Sequence, residues 1–244
     1  MQNFILFLII NIFITVMSFS QKNYEEDVYK TSAGTLKITF IGHASLMFTL
    51  DDKVIYIDPA QYSGSDFDGF PKADLLLITH NHFDHFDIPI IEKLSKENSK
   101  IVYTEICAQQ LPGGFIMKNG DKNKVCGFTI EAVPAYNIIH KRGDGNPFHP
   151  KGEGNGYIIT ISDKRIYIAG DTENTPEMKV LKNIDIAFLP MNLPFTMSPE
   201  MVADAAKAFK PKVLYPYHLT QTDTNGLLKL MKDEKNVEVK IRKM

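Results

Sequence analysis

Asp74-Leu75-Leu76-Leu77-Ile78-Thr79-His80-Asn81-His82-Phe83-Asp84-His85 is the stretch on which the fold turns. Its first half, residues 74–79, is an almost unbroken apolar run of the kind that fills a strand buried on both faces. Its second half packs four side chains able to hold a metal, His80, His82, Asp84 and His85, into six residues. The chain has only seven histidines, so three of them here is a concentrated use of a scarce residue. A strand that ends in such a cluster delivers it to a sheet edge, where loops build sites. Neutral imidazole and carboxylate suit zinc and neighbouring transition metals. A peptide this short does not wrap easily around one ion. Two ions are the natural reading, with His80 and His82 on one and Asp84 and His85 on the other.

Working outward, short strand patterns dominate. Residues 36–41, 45–50 and 53–58 are rich in Ile, Val, Phe and Tyr, with turn residues between them. A helix is expected over 87–98, with Pro89 in its first turn. Strands follow at 100–103, 125–133, 157–161, 165–169, 184–189 and 213–217, and an edge strand at 237–241. Further helices are expected at 107–111, at 199–209 behind the cap Ser198, and at 226–233. The segment Thr49-Leu50-Asp51-Asp52-Lys53-Val54-Ile55-Tyr56-Ile57 echoes Thr160-Ile161-Ser162-Asp163-Lys164-Arg165-Ile166-Tyr167-Ile168, with six of nine positions identical. Two related β-rich halves are the expectation, joined in one domain over 34–244. The fold class that results is α+β: a four-layer αβ/βα sandwich of two facing mixed sheets with helices outside.

Two further residues repeat the pattern of strand then ligand. Asp171 follows the strand 165–169 across Gly170 and is placed either to bridge two ions or to cap a helix. His218 ends the strand 213–217 and reads as a ligand or a half-buried core histidine. His43, between the first two strands, and Asp58, after the third, read as partners that orient a ligand, or as turn residues. The loop 135–156 is long and rich in Gly, Pro and charge, so it is expected to border a substrate pocket. Its Lys141, Arg142 and Lys151 are candidates to meet an anionic substrate group, or are solvated charge.

The net charge of −2 and the pI near 6.4 give no electrostatic footprint for nucleic acid. Residues 4–19 are nearly all apolar, with no charge before Lys22 and with Ser18 and Ser20 before Gln21. They read as a signal peptide spanning 1–20, and hence as an exported, periplasmic or extracellular protein with no stable membrane insertion once processed. An uncleaved anchor is the competing reading. Cys107 and Cys126 lack metal-ligand spacing and could pair after export or remain thiols.

These motifs resemble the metallo-β-lactamase fold superfamily over roughly residues 34–220. Its branch of ascorbate-6-phosphate lactonase-like and N-acyl-phosphatidylethanolamine phospholipase D-like proteins is the nearest match, through Gly42-His43-Ala44 and Ile57-Asp58-Pro59. The resemblance implies a dinuclear site, usually zinc, with single-ion or Mn/Fe forms as alternatives. It further implies hydrolysis of a small ester, lactone or phosphodiester by a metal-bound hydroxide, with Asp84 as ligand and aiming group. One departure stands out. The family's usual ligand histidine at the end of a middle strand is replaced by Asn137, so Asn137, His140 or His149 is expected to compensate in a site of reduced ligand count. His82 in place of Glu argues against redox di-iron chemistry, and Asp171 in place of Cys argues against lactam hydrolysis. A metal-binding module without catalysis and, more distantly, a nuclease are the competing functions.

Overall fold

A computed structural model describes residues 24–244. The expected signal peptide therefore lies outside the described residues. Seven strands form the first sheet in sequence order: β1 (Glu25–Thr31), β2 (Gly34–Gly42), β3 (Ser45–Leu50), β4 (Lys53–Ile57), β5 (Leu75–Leu77), β6 (Lys100–Tyr103) and β7 (Phe115–Ile116). Seven more form the second: β8 (Lys122–Val125), β9 (Phe128–Ala135), β10 (Gly154–Ile161), β11 (Lys164–Ile168), β12 (Ile186–Pro190), β13 (Val213–Tyr217) and β14 (Glu238–Val239). Each sheet begins as four antiparallel strands and ends as three added in parallel. The echoed segments are the two equivalent hairpins, β3–β4 and β10–β11. Both turn through a residue in the left-handed region, Asp51 at φ 50° and Ser162 at φ 58°.

The inner faces of the sheets meet in a core that includes Leu36, Ile38, Phe40, Phe48, Ile55, Ile159, Ile166, Phe188 and Tyr215. Period-two alternation aims these residues inward. The outer face of the first sheet packs under α1 (Ile88–Leu94) and α2 (Glu105–Gln110) through Tyr56, Leu76, Ile91 and Cys107. The outer face of the second packs under α3 (Pro176–Lys179), α4 (Pro199–Phe209) and α5 (Asn225–Met231) through Tyr167, Ala187, Met178, Val202 and Leu227.

Several boundaries differ from expectation. The strand expected over 125–133 is a hairpin, because Cys126 (φ 51°) and Gly127 (φ 89°) adopt the paired positive-φ geometry of a two-residue turn. The helix expected to reach residue 98 stops at Leu94, where Ser95 turns extended and its hydroxyl donates to the Ile91 carbonyl. Strand β1 is too polar and too exposed for period reading to reveal. It is held by the Asp27–Arg242 ion pair at 2.8 Å and by Tyr29 and Asp27 contacts to the Tyr215 hydroxyl. Cys107 and Cys126 are both free thiols.

At one edge the two sheets are stitched together. Asn155 N donates to the Thr79 carbonyl (2.9 Å), the Tyr157 hydroxyl to the Ile78 carbonyl (3.0 Å), and His218 N to the His43 carbonyl (3.0 Å). That edge carries the ligand-bearing strand ends.

Candidate metal centre

The chain delivers its metal-capable residues from both halves. In the first half, His80, His82, Asp84 and His85 follow β5, Asp58 follows β4, and His43 sits between β2 and β3. In the second, Asp171 follows β11, His218 follows β13, and His149 stands on the loop between β9 and β10. Gly170 makes the turn into Asp171 with φ 64°, and a Cβ there would lie 2.9 Å from the Asn155 carbonyl oxygen. Only glycine fits that corner without strain.

The side chains converge as two groups joined by one carboxylate. His80, His82 and His149 offer ligand atoms within mutual reach, as do His43, Asp84, His85 and His218. Asp171 stands between the groups. One of its oxygens lies 3.3 Å from both His149 Nε2 and His218 Nε2, and the other 3.3 Å from His85 Nε2. Asp84 Oδ2 lies 3.0 Å from His43 Nε2 and 3.4 Å from His218 Nε2. His43 was expected behind the ligands; it touches Asp84 directly, and its ring lies 3.8 Å from that of His218.

Partners behind the rings decide which nitrogen faces the centre. The Asp58 carboxylate accepts from His85 Nδ1–H (2.9 Å), from the Thr79 hydroxyl (2.7 Å) and from Thr79 N (2.7 Å). With its proton committed to Asp58, Thr79 Oγ1 accepts from His80 Nδ1–H at 3.0 Å. Asn137 Oδ1 accepts from His149 Nδ1–H at 2.7 Å. In each case Nε2 is left to the centre, which is how a ligating imidazole is ordinarily set.

Electrostatics sort the histidines. Burial, reinforced by neighbouring imidazoles, holds His80 well below the ordinary histidine value and pushes His82 down to about 4. Both therefore present lone pairs at neutral pH. Burial also lowers His85, but Asp171 and Asp58 outweigh it and hold that ring well above the ordinary value. Burial raises the Asp84 and Asp171 carboxyls, yet the surrounding histidines bring both below the usual carboxylate range.

The donor set fits a cation. His80 Nε2, His85 Nε2, both nitrogens of His218 and Asp171 Oδ1 are buried without a hydrogen-bond partner. Buried polar atoms are nearly always satisfied, and of these orphans the atoms of His80, His85 and Asp171 lie within mutual ligand reach, as a cation between them would require. His80, His82, His149 and Asp171 would hold one ion, and Asp84, His85, His218 and Asp171 the other.

Of the three residues expected to compensate at the middle strand end, His149 is the one the structure brings within ligand reach of His80 and His82. The loop folds back so that residue 149 lies against residue 137, with Asn137 N bonded to the His149 carbonyl at 2.9 Å. Asn137 itself points away from the centre: its Nδ2 donates to Glu173 Oε1 (3.2 Å) and to the Phe195 carbonyl (2.9 Å). His140 is likewise turned aside onto Glu173 at 2.7 Å. Two of the three loop cations are also engaged elsewhere. Lys151 pairs with Glu177 at 2.7 Å, and Arg142 donates to the Phe148 carbonyl and stacks over that ring. Glu173, Thr79 and Tyr62 were not singled out from the sequence. Tyr62 packs its ring 4.5 Å from that of His43 and 5.5 Å from that of Phe83. A small open cleft reaches the centre, lined by His80, His82, His149 and Asp171 with Phe148 and Asn155 among others.

Fold and centre together define a metallo-β-lactamase-fold protein. Residues 37–218 match the Beta-lactamase superfamily domain. A UPF0173 metal-dependent hydrolase of Thermococcus onnurineus is 34% identical over 195 residues, covering 75% of this chain and 84% of that protein. Another from Flavobacterium johnsoniae is 31% identical over 209 residues, covering 82% and 90%. Among solved structures, a Parabacteroides distasonis protein is 45% identical with a TM-score of 0.86, covering 91% of this chain and 100% of that one. Igni18, a metallo hydrolase of Ignicoccus hospitalis, is 25% identical with a TM-score of 0.71, covering 85% and 95%. The chain belongs to the beta-lactamase superfamily, among its UPF0173 metal-dependent hydrolases.

Proposed function

We propose that this metal-dependent hydrolase cleaves a small ester or lactone with an apolar body, using two zinc ions. The observation that carries this reading is the bridging position of Asp171, within 3.3 Å of histidines from both groups. A zinc pair held there supplies Lewis acidity that polarises a carbonyl and lowers the pKa of water to about 7. The protein's own groups do the aiming. Asp84 is fixed by His43 and His218, leaving an ionised carboxylate at the centre able to accept a hydrogen bond from an attacking water and so orient it. Asp58 and Asn137 keep the ligand rings in one tautomer.

The surroundings favour a neutral acyl substrate over a phosphodiester. Among the described residues, no Lys or Arg lines the cleft. A large apolar side chain stands exposed beside one of the lining residues: Phe83, 74% exposed, follows His82 in the chain. The exposed Phe195 packs edge-on against the cleft residue Phe148 at 5.0 Å. The apolar segment at 1–20 supports action outside the cytoplasm, which fractionation of the native host would test.

The decisive experiment measures metal per chain, then hydrolysis of p-nitrophenyl acetate, p-nitrophenyl butyrate, a γ-lactone and bis-p-nitrophenyl phosphate, with and without chelator. Two ions per chain and chelator-sensitive cleavage, faster on butyrate than on acetate, are expected. Preference for the phosphodiester would overturn the substrate class. Metal uptake with no cleavage of any probe would move the chain to a binding role.

A further inference from the structure

Glu173 has no place in the chemistry above, yet its side chain is fully buried beside the centre. Its carboxylate gathers five N–H groups. The backbone amides of Ile138, Ile139 and His140 donate at 2.8, 2.7 and 2.7 Å, His140 Nδ1 at 2.7 Å, and Asn137 Nδ2 at 3.2 Å. A buried carboxylate is costly unless its lone pairs are filled, and here they are filled by one continuous segment. The consequence is geometric. Residues 137–140 are locked into a turn around Glu173, and the Asn137 amide is locked with them. Its Nδ2 donates to Glu173 and to the Phe195 carbonyl, so its Oδ1 must face the other way. There it accepts from His149 N (2.9 Å) and His149 Nδ1 (2.7 Å). Nε2 of that ring is then directed at Asp171 (3.3 Å) and His82 (3.2 Å).

We infer that Glu173 and Asn137 are positioning residues that set the tautomer and direction of His149. Together they let a loop histidine act as a ligand where the strand end carries none. The inference rests on the metal reading above for its purpose, but not for its geometry. A ligand on a loop needs such a brace more than one on a strand, because nothing in the sheet ladder fixes its ring. The chain's departure at Asn137 is on this view an exchange of roles: the residue at the strand end orients the ligand instead of being it.

The test uses the full chain labelled with 15N. In metal-free wild type, long-range 15N–1H spectra should show His149 as the Nδ1–H tautomer. Asn137→Ala, which removes the acceptor oxygen, should move the ring toward Nε2–H. In a Co²⁺ titration followed by its absorption bands, Asn137→Ala and Glu173→Gln should weaken one of two ions ~10–100-fold, the range seen when the partner of a ligating histidine is lost. The ion held by Asp84, His85 and His218 should be unchanged. A role in folding alone would lower the melting temperature without moving the tautomer. An Nε2–H ring in wild type, or an Asn137→Ala protein that titrates like wild type, overturns the proposal. Should the alanine variant not fold, the wild-type tautomer still decides it. Wild type that takes up no Co²⁺ would refute the metal reading without deciding the tautomer.

Discussion

The two halves share one wiring diagram but spend their strand ends differently. In the first, the residue after β4 is Asp58, itself left-handed at φ 44°, and it stands behind the ligands holding His85 and, through Thr79, His80. In the second, the chain past β11 takes its left-handed step at Gly170 and then presents Asp171 to the centre. A shift of a few positions along equivalent strands separates a carboxylate that orients ligands from one that joins them. Equivalent scaffold therefore does not mean equivalent chemistry, because the corner after the strand decides which way the carboxylate looks.

The sharpest way to break this contrast is to remove each carboxylate in turn. Asp171→Ala takes away the group shared by both histidine clusters, so the variant is expected to retain at most one ion and to lose hydrolysis below detection. Atomic absorption and the ester assay check this together. If the halves form one cooperative unit, matched cavities in the two hairpins should cost alike. Ile55→Ala and Ile166→Ala, both in the core between the sheets, are each expected to cost ~2–5 kcal/mol in urea melts. Unequal costs with separate transitions would show the halves melting independently. Asp58→Ala should cost less at the centre than Asp171→Ala. Loss of the partner behind His85 is expected to weaken metal binding ~10–100-fold with two ions still taken up at saturation, as read by chelator competition. The smallest effect concerns β1, which has an ion pair to the C-terminal segment. Burial raises the Asp27 carboxyl, but Arg242 and Tyr215 outweigh it and leave it below its ordinary value. Its stabilisation is therefore complete above the unfolded value of about 3.9 and fades as pH falls through the lower folded value. Asp27→Asn should flatten the pH dependence of the melting temperature below about pH 4 and leave the slope above about pH 5 unchanged.

What could be read from the chain alone followed the strength of the local pattern. Buried strands such as β12 and β13 are continuous apolar runs, and the repeated hairpin showed itself by identity. The site was legible wherever a ligand followed such a strand, as with Asp171 and His218. It became ambiguous at His149, which follows no strand and is placed only by the backbone of a long loop. Glu173 was invisible for a related reason: three of its five partners are main-chain amides, which leave no mark in composition. The polar β1 escaped because a backbone ladder with β2 orders it, which no apolar period records, and its side-chain tether Arg242 lies over two hundred positions away. The turn at Cys126-Gly127 was missed because cysteine gives no warning of positive φ.

Either sheet taken alone would bare the apolar face that now meets its counterpart, with Leu36, Ile38 and Phe48 on one side and Ile159, Ile166 and Phe188 on the other. A chain cut between β7 and β8 would therefore give two pieces that associate or precipitate instead of staying apart in water.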